Sequence, residues 1–144
     1  MEPSSGGHVA PVELDEAIRA FLNEPNAAIL ATISPKGRPQ ATPIWFMLED
    51  DHILVNTSKG RVKLKNLEAN PYLAVTIVDP KDMYRYIQIQ GRVARIDHAN
   101  GASDIDRLSK RYTGQPYSYR AGGGPQDRVS ILIRPLRLSG MGRR

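Results

Sequence analysis

The sequence predicts a mainly β protein with short helices, built on about six strands that pair largely antiparallel and close into a small barrel. Three observations predict it. Short apolar or alternating runs recur between turn signals made of Pro, Gly, Asn and Asp. Most successive runs are joined by tight turns, which favours antiparallel neighbours. Only three stretches carry helical spacing, and all three are short. Closing the sheet hides its edges, and six strands is a sensible number for that solution.

Residues 13–23 place Leu14, Ile18, Phe21 and Leu22 on one helical face, and Pro25 stops the helix. Residues 27–33, Ala-Ala-Ile-Leu-Ala-Thr-Ile, read as a buried strand. Ser34-Pro35-Lys36-Gly37 turns the chain into a second strand over 38–48, which makes a hairpin. Asp50-Asp51 turns it again into a third strand over 52–57. A basic helix over 60–69 offers Val62, Leu64 and Leu67 for packing and ends at Asn70-Pro71. The fourth strand, 72–79, is rich in β-branched residues.

Pro80-Lys81-Asp82 leads into a long alternating strand over 84–97. Ile87, Ile89 and Val93 face one side of it, and Tyr86, Gln88, Gln90 and Arg92 the other. Residues 103–113 form a helix with Ile105, Leu108 and Tyr112 in register, Ser103 as N-cap and Gly114 just past the end. The Gly/Pro/Tyr-rich stretch 114–126 is long for a connector, so Tyr117, Tyr119 and Arg120 are candidates to cover a substrate or a partner's cofactor. The last strand, 128–139, alternates Val129, Ile131 and Ile133 with Ser130, Leu132 and Arg134, and Pro135 marks an edge, bulge or bend.

The 144 residues are organised as a short disordered lead over 1–12 and one domain over 13–144. The lead lacks the apolar core of a secretory signal, and no apolar run approaches the length of a membrane span. The chain has no cysteine, which excludes disulfides, thiolate metal sites and a cysteine nucleophile and fits a cytoplasmic protein. His8, His52 and His98 are scattered without metal-ligand spacing, so no metal is expected. Asp50-Asp51 and Asp104/Asp106 read as turn and helix-start residues rather than a catalytic pair. The net charge of +5 calls for an anionic partner. No RNA-binding aromatic run or zinc-finger spacing accompanies it, which argues against nucleic acid and for a small anionic ligand.

The charge is densest in Asn56-Thr57-Ser58-Lys59-Gly60-Arg61-Val62-Lys63-Leu64-Lys65-Asn66-Leu67, where a strand passes into the basic helix. Free backbone N–H groups and the positive helix end attract an anion there. Lys adds charge, and Arg can grip two oxygens at once. The pattern is not a P-loop, since G-x-x-x-x-G-K-[ST] is absent. Four like charges so close repel one another, and a bound anion relieves that cost. Lys65 fits least, because one helix cannot aim every residue at one ligand.

Read in order, these motifs resemble the flavin/deazaflavin oxidoreductases of the pyridoxamine 5′-phosphate oxidase-like split-barrel superfamily. The resemblance covers about residues 13–142. It runs through the Pro-Lys-Gly-Arg-Pro turn, Thr42-Pro43-Ile44-Trp45-Phe46, the 56–67 segment, Asn70-Pro71, Tyr86 to Val93, and Arg134 to Gly140. It implies a split β-barrel and a homodimer with two cofactor sites at the subunit interface. It also implies FMN or the deazaflavin coenzyme F420 as cofactor, and the basic R-x-K-x-K-N-L form is most similar to the F420-dependent branch.

By that resemblance Thr57, Ser58, Lys59, Arg61 and Lys63 hold the cofactor phosphate, and Asn66 supports the helix or the phosphate loop. Asn56, at the head of this segment, also belongs to the implied cofactor-binding set, and Thr42, Pro43, Ile44 and Trp45 lie along the ring. Tyr86 takes a ring-contacting position where FMN oxidases of the class tend to have Gln. Without the resemblance, Trp45 reads equally as core packing and Tyr86 as a cross-strand aromatic. The implied reaction is hydride transfer from reduced deazaflavin to a small organic acceptor, and no residue is assigned a catalytic role. An FMN-dependent oxidoreductase and a non-catalytic F420 carrier are the alternatives.

Overall fold

The computed structural model describes residues 12–119 and 123–141. The predicted lead falls almost entirely on residues 1–11, outside the described residues, as do Arg120 and the last Arg residues. Seven strands and three α-helices follow the order α1 (Glu16–Leu22), β1 (Ala27–Ile33), β2 (Pro39–Ile44), β3 (Met47–Glu49), β4 (His52–Ser58), α2 (Val62–Ala69), β5 (Tyr72–Asp79), β6 (Asp82–Asp97), α3 (Gly101–Thr113) and β7 (Arg128–Ser139). No helix among the described residues is long and apolar enough to cross a membrane.

The strands form one sheet in the order β2-β1-β5-β6-β7-β4-β3, and every pairing is antiparallel. Laid flat, six inter-strand steps would set β2 and β3 about 29 Å apart. Only Trp45 and Phe46 lie between those strands, and a link that short spans about 11 Å. The sheet must therefore curl until β2 and β3 come near each other, but these two edges do not pair, so the mainly β, split-barrel class agrees with the sequence reading while the expected closure of the sheet is corrected.

The count of six strands is corrected to seven. The run over 38–48 breaks at Trp45-Phe46 because the Phe46 backbone is bound to α3 instead of to a neighbouring strand. Its N–H donates to the Tyr112 hydroxyl at 3.4 Å, and its carbonyl accepts from Arg111 Nε at 3.0 Å. The Phe46 ring is fully buried, which fixes the corner from inside.

Helix boundaries move for local reasons. Asp15 caps α1 by accepting from the Ile18 N–H at 2.9 Å, so that helix starts at Glu16. Gly60 takes φ 90°, and Arg61 is still extended, so α2 starts at Val62 rather than at 60. Helix α3 starts two residues before Ser103. Asn100 occupies its N-cap position, and the Ser103 hydroxyl donates to the Asn100 carbonyl. Gly114, at φ 78°, ends α3 in the left-handed conformation.

The core lies inside the roll. Ile18, Phe21 and Leu22 of α1 plug one end against Leu30, Phe46, Val75, Ile77, Ile87, Ile89 and the Val129-Ile131-Ile133 face of β7. Alternation on β6 follows the sequence reading, with Ile87, Ile89 and Val93 inside. On β7 it does not, because Ser130, set opposite the core residues, is also buried. Helix α3 covers that outer face.

Two side-chain devices tie helices to the barrel. Arg111 donates to the carbonyls of Leu22, Asn23, Glu24 and Phe46, closing the exit of α1 and the β2–β3 corner together. Asn66 Nδ2 donates to Thr32 Oγ1 at 3.0 Å, and both residues are buried. This bond holds α2 on β1.

Candidate functional site

Strand β4 ends in Asn56-Thr57-Ser58, and the turn after it is clamped to the start of β7. The Lys59 N–H donates to the Asp127 carbonyl at 2.9 Å, and Ser58 Oγ to the same oxygen at 3.4 Å. The register pairs Ser58 with Arg128. Strand pairing therefore delivers Arg128 to the point where Arg61 and Lys63 leave the strand for the helix.

These residues border a cleft of about 640 Å³. Pro43, Ile44 and Trp45 form one wall, and Ile105, Leu108 and Tyr112 of α3 another. Asn56, Thr57, Arg61, Lys63 and Arg128 form the polar end, and Tyr117 flanks it. Among the described residues, three cations line the cleft and no carboxylate does.

The cations are poorly satisfied. Lys63 is only 6% exposed and makes no hydrogen bond or ion pair among the described residues. Burial pushes its ammonium below the usual value of 10.5, and the charges of Arg61 and Arg128 push it further. Burial likewise disfavours the charged form of Arg128, and Arg61 adds repulsion. A partly desolvated charge without a counter-charge is costly, so a negative charge at this end of the cleft would be stabilised. The Arg61 side chain is exposed and leaves the start of α2 without a side-chain cap, so backbone donors there are open as well.

The other end is flat and aromatic. Trp45 stacks on Tyr112 with centroids 5.6 Å apart and planes 10° apart. Tyr112 is itself fixed, donating its hydroxyl to the Asn26 carbonyl at 2.7 Å, and burial raises its pKa. Tyr117 meets Trp45 edge-on at 6.3 Å, Tyr119 meets Tyr117 edge-on at 4.9 Å, and the Arg128 guanidinium lies 5.0 Å over the Tyr117 ring. The first half of the 114–126 loop is anchored to α3, through Tyr117 N–H to Asp106 Oδ1 at 2.9 Å and Ser109 Oγ to the Gln115 carbonyl at 2.8 Å.

Of the residues singled out in the sequence, Pro43, Ile44, Trp45, Asn56, Thr57, Arg61 and Lys63 meet at the cleft. Thr42, Ser58, Lys59, Asn66 and Tyr86 do not line it. Thr42 Oγ1, next to that wall, is buried without a hydrogen-bond partner. Ser58 is spent on the turn and Asn66 on Thr32. Lys59 points to solvent. Tyr86 lies on the outer face of β6, opposite Val78 on β5, with its ring packed so close to Gly140 that a Cβ there would meet it at 2.9 Å.

The sequence reading missed Arg128 and the α3 wall. No local pattern could reveal Arg128, since its place depends on the register between β4 and β7. The signal for the wall was available: Ile105, Leu108 and Tyr112 were seen as one helical face but assigned no neighbour.

The sequence model of the pyridoxamine 5′-phosphate oxidase family matches residues 14–142. The chain belongs to that family. It is 32% identical over 121 residues to a pyridoxine/pyridoxamine 5′-phosphate oxidase of Neisseria gonorrhoeae, covering 83% of this chain and 53% of that protein. It is 37% identical over 103 residues to the enzyme of the same name from Chromobacterium violaceum, covering 71% and 47%. The chain thus spans about half the length of these curated relatives.

Among solved structures, one named F420 reductase superposes with a TM-score of 0.76 at 30% identity, covering 87% of this chain and 98% of that one. A conserved hypothetical protein from Mycobacterium tuberculosis shares the fold, with a TM-score of 0.67 at 24% identity over 91% and 86%.

Proposed function

We propose that this family member is an F420-dependent oxidoreductase that reduces a small organic acceptor. The carrying observation is the division of one cleft into an uncompensated cationic end, Arg61, Lys63 and Arg128, and a flat wall of Trp45 and Pro43. That division suits a planar ring joined to a phosphate. The deazaflavin, when bound, supplies hydride chemistry, which fits a site with no carboxylate or histidine in its lining.

The residues present have binding work to do. Lys63 and Arg61 neutralise the phosphate, Thr57 offers a hydroxyl beside them, and the uncapped start of α2 offers N–H groups. Trp45 and Pro43 press on the ring and keep water from one face. Support for F420 over FMN comes from the F420 reductase likeness, which spans nearly all of both chains. FMN is the second reading, favoured by the phosphate-oxidase relatives.

A homodimer belongs to this proposal. Ile33, Tyr72 and Tyr86 are partly exposed, and Tyr86 does not line the cleft of its own chain, which leaves these side chains available to a second copy. The test adds F420 or FMN to the apoprotein and follows retention through a desalting column, with sedimentation run in parallel. Retention of FMN without F420 sinks the first reading, and a monomer that binds either cofactor fully sinks the shared site.

A further inference from the structure

A chain of hydrogen bonds runs from the cleft through the sheet to α3 and β3, buried at its centre and exposed at its Arg107–Glu49 end. Arg128 Nε donates to Asn56 Oδ1 at 2.9 Å. Asn56 Nδ2 donates to the Gly101 carbonyl at 2.9 Å and to Ser130 Oγ at 3.3 Å. Ser130 Oγ donates to Asp104 Oδ2 at 2.6 Å. Arg107 closes the chain, donating to Asp104 Oδ1 at 2.9 Å and to Glu49 Oε1 at 2.7 Å. Asn56, Ser130 and Asp104 are 5%, 1% and 7% exposed, so water competes little for the bonds among these three.

The distances set the chain's direction. Ser130 Oγ has two acceptors, Asp104 Oδ2 at 2.6 Å and the Asn100 carbonyl at 3.4 Å, and its single proton goes to the nearer one, the carboxylate that Arg107 also holds. Ser130 then offers Asn56 a lone pair, and the Gly101 carbonyl offers a second acceptor. Both demand the amide N–H₂ of Asn56, which turns Oδ1 toward Arg128. With Nε engaged and the guanidinium 5.0 Å over the Tyr117 ring, its plane is oriented; its two terminal nitrogens make no hydrogen bond among the described residues, and Arg128 is one of the residues that line the cleft.

We infer that Arg128 grips the ligand's anionic group as an oriented two-toothed donor beside Arg61 and Lys63, and that Ser130 and Asp104 are positioning residues that aim it through Asn56. The ligand class is an organic phosphate or a neighbouring carboxylate, for which a planar fork is worth more than a point charge. This rests on the anionic-cofactor reading above. The two part company in one respect. Arg61 and Lys63 supply charge without requiring a defined orientation, whereas Arg128 is useful only if aimed.

The test compares rings with and without their phosphate: FMN against riboflavin, and F420 against its phosphate-free deazaflavin core, by quenching of Trp45, the only tryptophan. The ratio of affinities isolates the anionic end. Arg128→Lys keeps the charge but loses the fork, and we expect the ratio to fall about tenfold. Ser130→Ala and Asp104→Asn should lower it about two- to tenfold. In an Arg128→Gln background Ser130→Ala should change it no further, which a merely structural role does not produce.

An unchanged ratio in Arg128→Lys, or a full Ser130→Ala effect without Arg128, overturns the inference. Should Ser130→Ala not fold, Ser130→Cys and Asp104→Asn carry the same comparison. A wild-type protein that does not favour the phosphate-bearing rings sinks the cofactor reading instead. In that event inorganic pyrophosphate decides: a rise in melting temperature that Arg128→Gln abolishes supports the inference, and its absence overturns it.

Discussion

Lys63→Met should strengthen the fold and weaken the ligand. Lys63 is buried on the inner side of α2, next to Leu64 and Leu67, with no carboxylate near enough to pair with it. Its ammonium is desolvated and repelled by Arg61 and Arg128. Methionine keeps most of the stem and removes the charge. Relief of this partial desolvation and repulsion is worth about 1 kcal/mol, which for a chain of this size is a rise of about 2–4 °C in melting temperature. The lost charge-assisted contact costs the bound state about 1.5–3 kcal/mol, or about 10- to 150-fold in affinity for F420 or FMN. Thermal melts of the apoprotein and a cofactor titration read the two effects separately. A less stable apoprotein with unchanged cofactor affinity would refute the reasoning, since Lys63 would then be a satisfied structural lysine.

Lys63 also sets an alkaline limit. Its free-state pKa lies below 10.5, so anion affinity should be flat at lower pH and fall as pH rises through that depressed value, while Lys63→Arg carries the plateau higher in a pH series of titrations. Arg85 should govern acid stability: its hydrogen bonds are the main cause holding Glu24 below 4.5 and the second cause holding Asp79 below 3.8. Depressed carboxylates stabilise the fold above their unfolded values and lose that contribution as pH falls through the folded ones, so Arg85→Gln should flatten this part of the acid-melting curve. Arg111→Ala strips four carbonyls of their donor and should cost about 3 kcal/mol or more in denaturant melts. Gly101→Ala puts a Cβ into the Arg128 carbonyl and should cost about 1–3 kcal/mol, with a matching loss of cofactor affinity as β7 and α3 are pushed apart.

The legible parts of the site were those whose chemistry is contiguous in the chain. Thr57, Arg61 and Lys63 sit within one strand-to-helix passage, so local composition exposed them, whereas Pro43, Ile44 and Trp45, within one strand end, came only through the family resemblance. Ser58 and Lys59 belong to the same passage but not to the cleft. One is drawn into the turn by the Asp127 carbonyl, and the other falls at the turn's exposed crest. Sequence spacing marks a neighbourhood, and the hydrogen bonds of the turn select which of its members face inward.

Period, turn chemistry and helix breakers depend on residues a few places apart, and they determined the strands, the short helices and the antiparallel barrel class from the sequence by itself. The break at Trp45-Phe46, the meeting of Arg128 with Lys63, and the Asp104–Ser130–Asn56 chain were decided only in the tertiary structure. Each joins residues dozens of positions apart, through a register that the whole rolled sheet must agree on. A cation's neighbours decide whether it is a solvated charge or half of an empty anion site, and those neighbours come from other strands.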